Sequence, residues 1–266
     1  MFNSFIEKYF GLILFIFFGF AFIFGVTTLY VYSQYFVFPL SSDHSRWAEF
    51  GEYVGGVLNP ILSFLAFIGL LLTLYLQKRS IQTQSFENHF FNLLNYYYKI
   101  LDGINIGNIN EKDFISGRKC FKFFSDSILS RHLVFDNCVN RIDTYNDFYY
   151  RYNNEVGHYF RHLYRVYLYI DKSNVTDSDK TKYTGILRAQ LSFDELVVLF
   201  YNGISKNGEK FKPLIEKYEM FENLPNTFLH DINDDLLKYD KKAFGDNSQN
   251  IEYYTFKFES NLSEWR

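Results

Sequence analysis

Two long apolar stretches without a charged residue occupy the first third of the chain, one from Tyr9 to Leu40 and one from Tyr53 to Gln77. A bilayer core of about 30 Å is crossed by roughly 20 apolar residues in a helix, and each stretch supplies them. The pattern predicts an all-α membrane protein. An N-terminal two-helix transmembrane hairpin over 1–79, with spans at about 10–32 and 54–77, leads into an all-α cytoplasmic domain over 80–225 and a C-terminal extension over 226–266. The first stretch is too long for the core of a secretory signal, and no small-residue cleavage site follows it. Lys8 precedes the first span, Lys78 and Arg79 follow the second, and the connector is poor in cations, so the charge bias predicts both termini in the cytoplasm. Ala21 and Gly25 form a small-xxx-small pair that would let a second helix approach.

The entry to the second span admits two geometries. Asn59 caps a helix that begins at Pro60, or the helix starts earlier and Pro60 interrupts it, freeing the Gly56 carbonyl at membrane depth. The second geometry makes Gly55, Gly56, Asn59 and Pro60 candidates for a hinge or pore lining.

Beyond Lys78 the apolar positions recur with a helical period. Phe86, Phe90, Leu93, Leu94, Tyr97 and Leu101 predict one buried face. Val156, Tyr159, Phe160, Leu163, Val166, Tyr167 and Ile170 predict another, and weaker helical patterning covers Phe114–Leu129 and Leu133–Tyr152. Gly103–Asn110 and Asp171–Lys182 read as loops. Ser192 followed by Glu195 reads as a capping box ahead of a helix, with Asn202-Gly203 and Asn207-Gly208 closing and separating elements. Phe211–Phe221 reads as a short helix, and Ile251–Phe258 as a short strand or a docked tail.

Net charge is −3, which argues against a general polyanion binder. Aromatics make up 21% of the chain, but they are spread along it, which fits an AT-rich coding sequence better than a base-recognition surface. Cys120 and Cys138 lack metal-site spacing and read as reduced core thiols. No metal or cofactor motif and no phosphate-loop or hydrolase motif is present in the sequence.

The strongest polar constellation is His158, Arg161, His162 and Arg165, which helical spacing puts on one stripe. It suits phosphate contact, and it also suits a solvated face opposite an apolar one. Arg151 and His158 have an arginine–six–histidine spacing similar to that of the HEPN ribonucleases. In that family His acts as general acid or base and Arg stabilises the phosphate transition state; Tyr152 stands where a polar residue is usual there.

Four ordered blocks carry a wider resemblance. They are Trp47 with Phe50–Pro60, Gln84–Leu94, His158–Arg165, and Leu187–Ser192 continuing to Glu195, Leu196 and Tyr201–Gly203. Over about residues 45–225 the chain resembles the phage abortive infection family, the AbiC-like membrane proteins, with His89 where Thr or Ser is expected. The resemblance implies an anti-phage defence effector in the bacterial inner membrane that harms the infected cell, and it carries over no catalytic residue. It also implies partners: the lipid bilayer, further copies of the chain, and a phage- or host-derived trigger, such as a reverse transcriptase–nucleic acid complex. Two mechanisms follow, a membrane-perturbing effector and a membrane-tethered ribonuclease. A third reading is an interaction scaffold in which Arg188 is structural; otherwise Arg188 joins the candidates for phosphate or partner binding.

Overall fold

The computed structural model describes residues 2–35, 42–107, 113–134, 141–225, 228 and 233–264. Contacts divide the chain into two units, Met1–Gln82 and Thr83–Arg266.

The first unit holds α1 (Phe2–Tyr35) and the leading part of α2 (His44–Asp102). Both helices are long and apolar enough to cross a membrane. Their apolar side chains face outward: Phe15, Phe18 and Phe22 are each more than 70% exposed, and Phe64 and Phe67 more than half. Water would penalise such a surface at roughly 25 cal/mol per Å², whereas lipid does not. Three threonine hydroxyls on these helices turn back onto their own backbone. Thr27, Thr28 and Thr73 donate to the carbonyls of Ile23, Phe24 and Gly69, so none needs water. Tyr32 packs its ring against Phe50 and Tyr53 at 4.9 and 5.4 Å.

The helix start corrects the capped-at-Asn59 geometry. α2 begins at His44, where Asp43 Oδ1 accepts from the Ser45 amide at 3.0 Å in N-cap fashion. That hydrogen bond holds the Asp43 carboxyl below its usual range. Most of the expected connector is therefore already helical. Pro60 lies inside α2 and has no N–H to offer the Gly56 carbonyl.

The second unit is built around α6 (Phe193–Ile204), in which every residue from Glu195 to Gly203 is buried. A helix apolar on all sides needs neighbours on all sides. α3 (Lys119–Val134), α4 (Arg141–Lys172) and α7 (Lys212–Lys217) all pack on it. The end of α2 contributes Phe86, Phe90, Leu94, Tyr97 and Leu101 to the same core, and α4 contributes its whole expected stripe. The core is largely aromatic: Phe200 alone meets Tyr201, Phe221, Phe228 and Tyr239 at ring distances of 4.9–6.0 Å.

Several sequence expectations are revised. The Gly103–Asn110 loop contains one strand of a small antiparallel ribbon, β1 (Asn105–Ile106) paired with β2 (Ile115–Ser116), which takes Phe114–Ser116 out of the helix expected there. The buried Cys120 thiol lies 3.4 Å from the Ile115 carbonyl, and burial pushes its pKa up, as befits an inert core thiol; Cys138 lies outside the described residues. The Asp171–Lys182 loop becomes helical at α5 (Asp177–Arg188), because Thr176 caps it by accepting from the Asp179 amide. Ile251–Phe258 lies in a helix, α8 (Ser248–Glu264), reached through two 3-10 turns, Asn233–Lys238 and Lys241–Phe244. The stretch expected as an extension also supplies core residues Phe228, Leu236, Tyr239, Ala243 and Phe244.

Tyr239 depends on a glycine. Its hydroxyl donates to the Phe200 carbonyl at 2.7 Å, in the space a side chain on Gly203 would fill. A Cβ there would overlap the Tyr239 oxygen and come within 2.9 Å of Ile215 Cδ1.

Candidate functional site: a basic cleft

α4 leaves helical geometry at Tyr152 (φ −114°, ψ 19°) and then runs on with its apolar stripe against α6. The face beside that stripe carries Arg161 and Arg165, and both side chains are exposed. After α6 the chain turns through Ser205–Phe211. Ser205 Oγ donates to the Asn202 carbonyl at 2.7 Å and accepts from the Asn207 amide at 3.2 Å, and the Gly208 carbonyl accepts from the Phe211 amide at 2.7 Å. These bonds fix a tight turn whose exposed positions are Lys206, Asn207, Glu209 and Lys210.

The α4 face and this turn enclose a cleft of about 480 Å³. Its walls bring together Arg161, Arg165, Lys206 and Lys210, with Glu209 as the one carboxylate lining it. No ion pair joins these four cations to an acidic partner among the described residues. Like charges held together raise the energy of the empty cleft, and an anion relieves it. Tyr149, Phe160, Tyr164 and Phe211 supply ring surface along the same walls, with Tyr164 and Phe211 in edge contact at 5.7 Å.

Gly157 makes room for the site. An added Cβ would stand 3.1 Å from an Arg161 terminal nitrogen and 3.3 Å from the Tyr149 hydroxyl. Glycine inside a helix costs about 1 kcal/mol relative to alanine, and here it lets the guanidinium fold close to the helix axis.

The other expected site residues disperse. The His158 ring nitrogen Nδ1 lies 3.1 Å from the Asn154 carbonyl of its own helix. Between Arg151 and His158 the chain leaves helical geometry once, at Tyr152. His162 reaches away from the cleft, its Nε2 2.8 Å from the Leu93 carbonyl on α2. Arg188, in the last turn of α5, donates to the Glu219 carbonyl at 2.8 Å and pairs with Glu222. It thereby holds Glu219, whose φ of 53° is unusual for a residue with a side chain. Gly55, Gly56, Asn59 and Pro60 lie in the interior of α2, with the Asn59 amide nitrogen over Gly55.

Sequence reasoning missed Lys206 and Lys210, whose signal was the basic Lys-Asn-Gly-Glu-Lys turn after α6. It also undervalued Glu195. The capping box is present, with Ser192 N–H donating to Glu195 Oε2 at 2.8 Å and Glu195 N–H to Ser192 Oγ at 3.3 Å. The same fully buried carboxylate accepts from the Tyr97 and Tyr159 hydroxyls at 2.6 and 2.8 Å and pairs with Arg118 Nε at 3.0 Å. Burial first, and then Glu195, push the pKa of both tyrosines far up, so both stay protonated donors. Glu195 is a structural junction of α2, α4, α6 and the turn before α3.

Residues 151–229 match the model of a family described as "Putative phage abortive infection protein". This is the family that the sequence blocks resemble, and the matched stretch contains most of the cleft lining. No curated protein and no solved structure matches the chain.

Proposed function

We propose that this protein is an anti-phage effector that acts by abortive infection from the inner membrane. α1 and the leading part of α2 insert as a hairpin, both termini stay in the cytoplasm, and the helical domain holds the anchor inactive until a phage- or host-derived trigger arrives. Activation lets several copies associate through their spans and perturb the bilayer, with Gly55, Gly56, Asn59 and Pro60 as the weak point of the second span. The observation that carries this reading is the pair of helices with outward apolar faces in a chain whose later part matches an abortive infection family. Pro60 inside α2 supports the weak point, since it leaves a backbone carbonyl without its helical donor. The trigger could include a reverse transcriptase–nucleic acid complex.

The test is expression of an activated form with membrane potential followed by a voltage-sensitive dye. Depolarisation before the loss of viability is expected. Growth arrest with potential intact, accompanied by cleaved RNA that a His158→Ala variant no longer produces, would replace this reading with the tethered ribonuclease.

A further inference from the structure

We infer that the cleft between α4 and the turn after α6 is a binding site for a nucleotide unit, either free or at the end of a strand. Four observations on this surface converge. Arg161 and Arg165, one helical turn apart, present guanidinium groups of the kind that bind phosphate oxygens through paired N–H donors. Lys206 and Lys210 approach from the other wall, so a phosphate group would be met from two sides. Tyr149 and Tyr164 add ring surface to those walls, and a base can stack on an aromatic ring whatever its identity. The buried side chain of Asn202, fixed by its 2.7 Å bond to the Tyr145 hydroxyl, adds a polar group at the floor. A bare phosphate or a sulfate would use the cations and leave the rings idle. A cleft of about 480 Å³ lies within the usual range for small-molecule sites and accommodates a base, a sugar and phosphate together.

The site is rigid on both sides. The α4 wall is pinned by the buried stripe beneath it, and the turn is closed by the Ser205 and Gly208 hydrogen bonds. Gly157 leaves room beside the Arg161 guanidinium, which an added Cβ would approach to 3.1 Å. This inference names a ligand class for the cytoplasmic domain and does not rest on how the anchor acts. It can be tested in detergent, where no bilayer exists to be breached.

The experiment is calorimetric titration of the full chain in detergent micelles with ATP, a 5′-phosphorylated tetranucleotide, inorganic pyrophosphate and glycerol phosphate, at 50 and 200 mM salt. Binding of ATP or the tetranucleotide that weakens with salt is expected, with pyrophosphate weaker and glycerol phosphate weakest. Comparable binding of ATP and the tetranucleotide assigns a free nucleotide, and at least tenfold tighter tetranucleotide binding assigns a strand end. Arg165→Glu is expected to weaken binding tenfold or more. Tyr164→Leu is expected to weaken ATP about tenfold while sparing pyrophosphate. Arg161→Gln, at an exposed position outside the core, is expected to weaken binding as well, and unchanged thermal unfolding shows that the loss does not come from misfolding. Failure of both ATP and the tetranucleotide to bind more tightly than glycerol phosphate overturns the assignment. So does binding that is indifferent to Arg165→Glu and Arg161→Gln.

Discussion

The Tyr97 hydroxyl on α2 donates to Glu195 Oε1 on α6 at 2.6 Å, across 98 residues of sequence. Tyr159 donates to the same oxygen, while the other oxygen takes the Ser192 amide and Arg118. A buried carboxylate satisfied on both oxygens is costly to disturb, because the Tyr97 and Tyr159 hydroxyls it leaves become buried groups without that acceptor.

Glu195→Ala should therefore destabilise the protein by about 3–5 kcal/mol. Ser192→Ala, which removes one half of the capping box, should cost about 1 kcal/mol. Thermal unfolding of the two variants in the same detergent separates a structural junction from a simple cap. Equal losses would reduce Glu195 to its capping role.

Gly203→Ala should be destabilising by about 2–3 kcal/mol through overpacking, since the Tyr239 hydroxyl already fills the space. Tyr239→Phe in the same chain removes the clashing oxygen. A double-mutant cycle on unfolding free energies should show the two changes coupled and not additive.

Asp171 links the end of α4 to α7, accepting from Lys217 Nζ at 2.5 Å and from the Tyr218 hydroxyl at 2.8 Å. Partial burial works to raise its pKa, but those two hydrogen bonds and the charges of Lys217 and Lys180 outweigh it and hold the carboxyl below the usual carboxylate range. A depressed carboxyl stabilises the fold above its unfolded pKa and loses that contribution as pH falls through the folded value. Asp171→Asn should cost roughly 1 kcal/mol at pH 7, and the difference from the parent should close below about pH 4. Unfolding curves across pH 3–7 provide the check.

Phe67 and Leu70 lie on the outward face of α2, each 55% exposed. A Leu70→Arg change at mid-span should oppose insertion by about 3 kcal/mol. The variant should shift from the carbonate-resistant membrane pellet toward the extractable fraction. Unchanged partitioning would argue that this helix does not cross the bilayer.

Much of the fold is legible in the sequence, because period and burial coincide in long amphipathic helices. The stripes Phe86–Leu101 and Val156–Ile170 show this, with only Leu93 less than fully buried. The Ser192–Glu195 box is legible because it is local. What escapes is long-range. The box explains two hydrogen bonds of Glu195 and gives no hint of Tyr97, from α2, or Arg118, from the turn before α3. The start of α5 was hidden by its polarity, although Thr176 and Asp179 spell a cap. α8 was ambiguous because an aromatic run such as Tyr253–Phe258 satisfies either period. Half of the basic cleft was readable as Arg161 and Arg165 on one helix. The other half lies about 40 residues on, in a turn that only folding brings opposite.

The family match and the core divide this polypeptide at different points. The matched segment ends at 229, yet the aromatic plug for its Gly203 notch comes from position 239. Two of the groups that satisfy its Glu195, the Tyr97 hydroxyl and the Arg118 guanidinium, come from outside it. A fragment cut to the borders of the recognised segment would carry an open notch on one side and a stranded anion on the other. The matched segment therefore does not close its own core, and on both sides it leans on residues outside its borders.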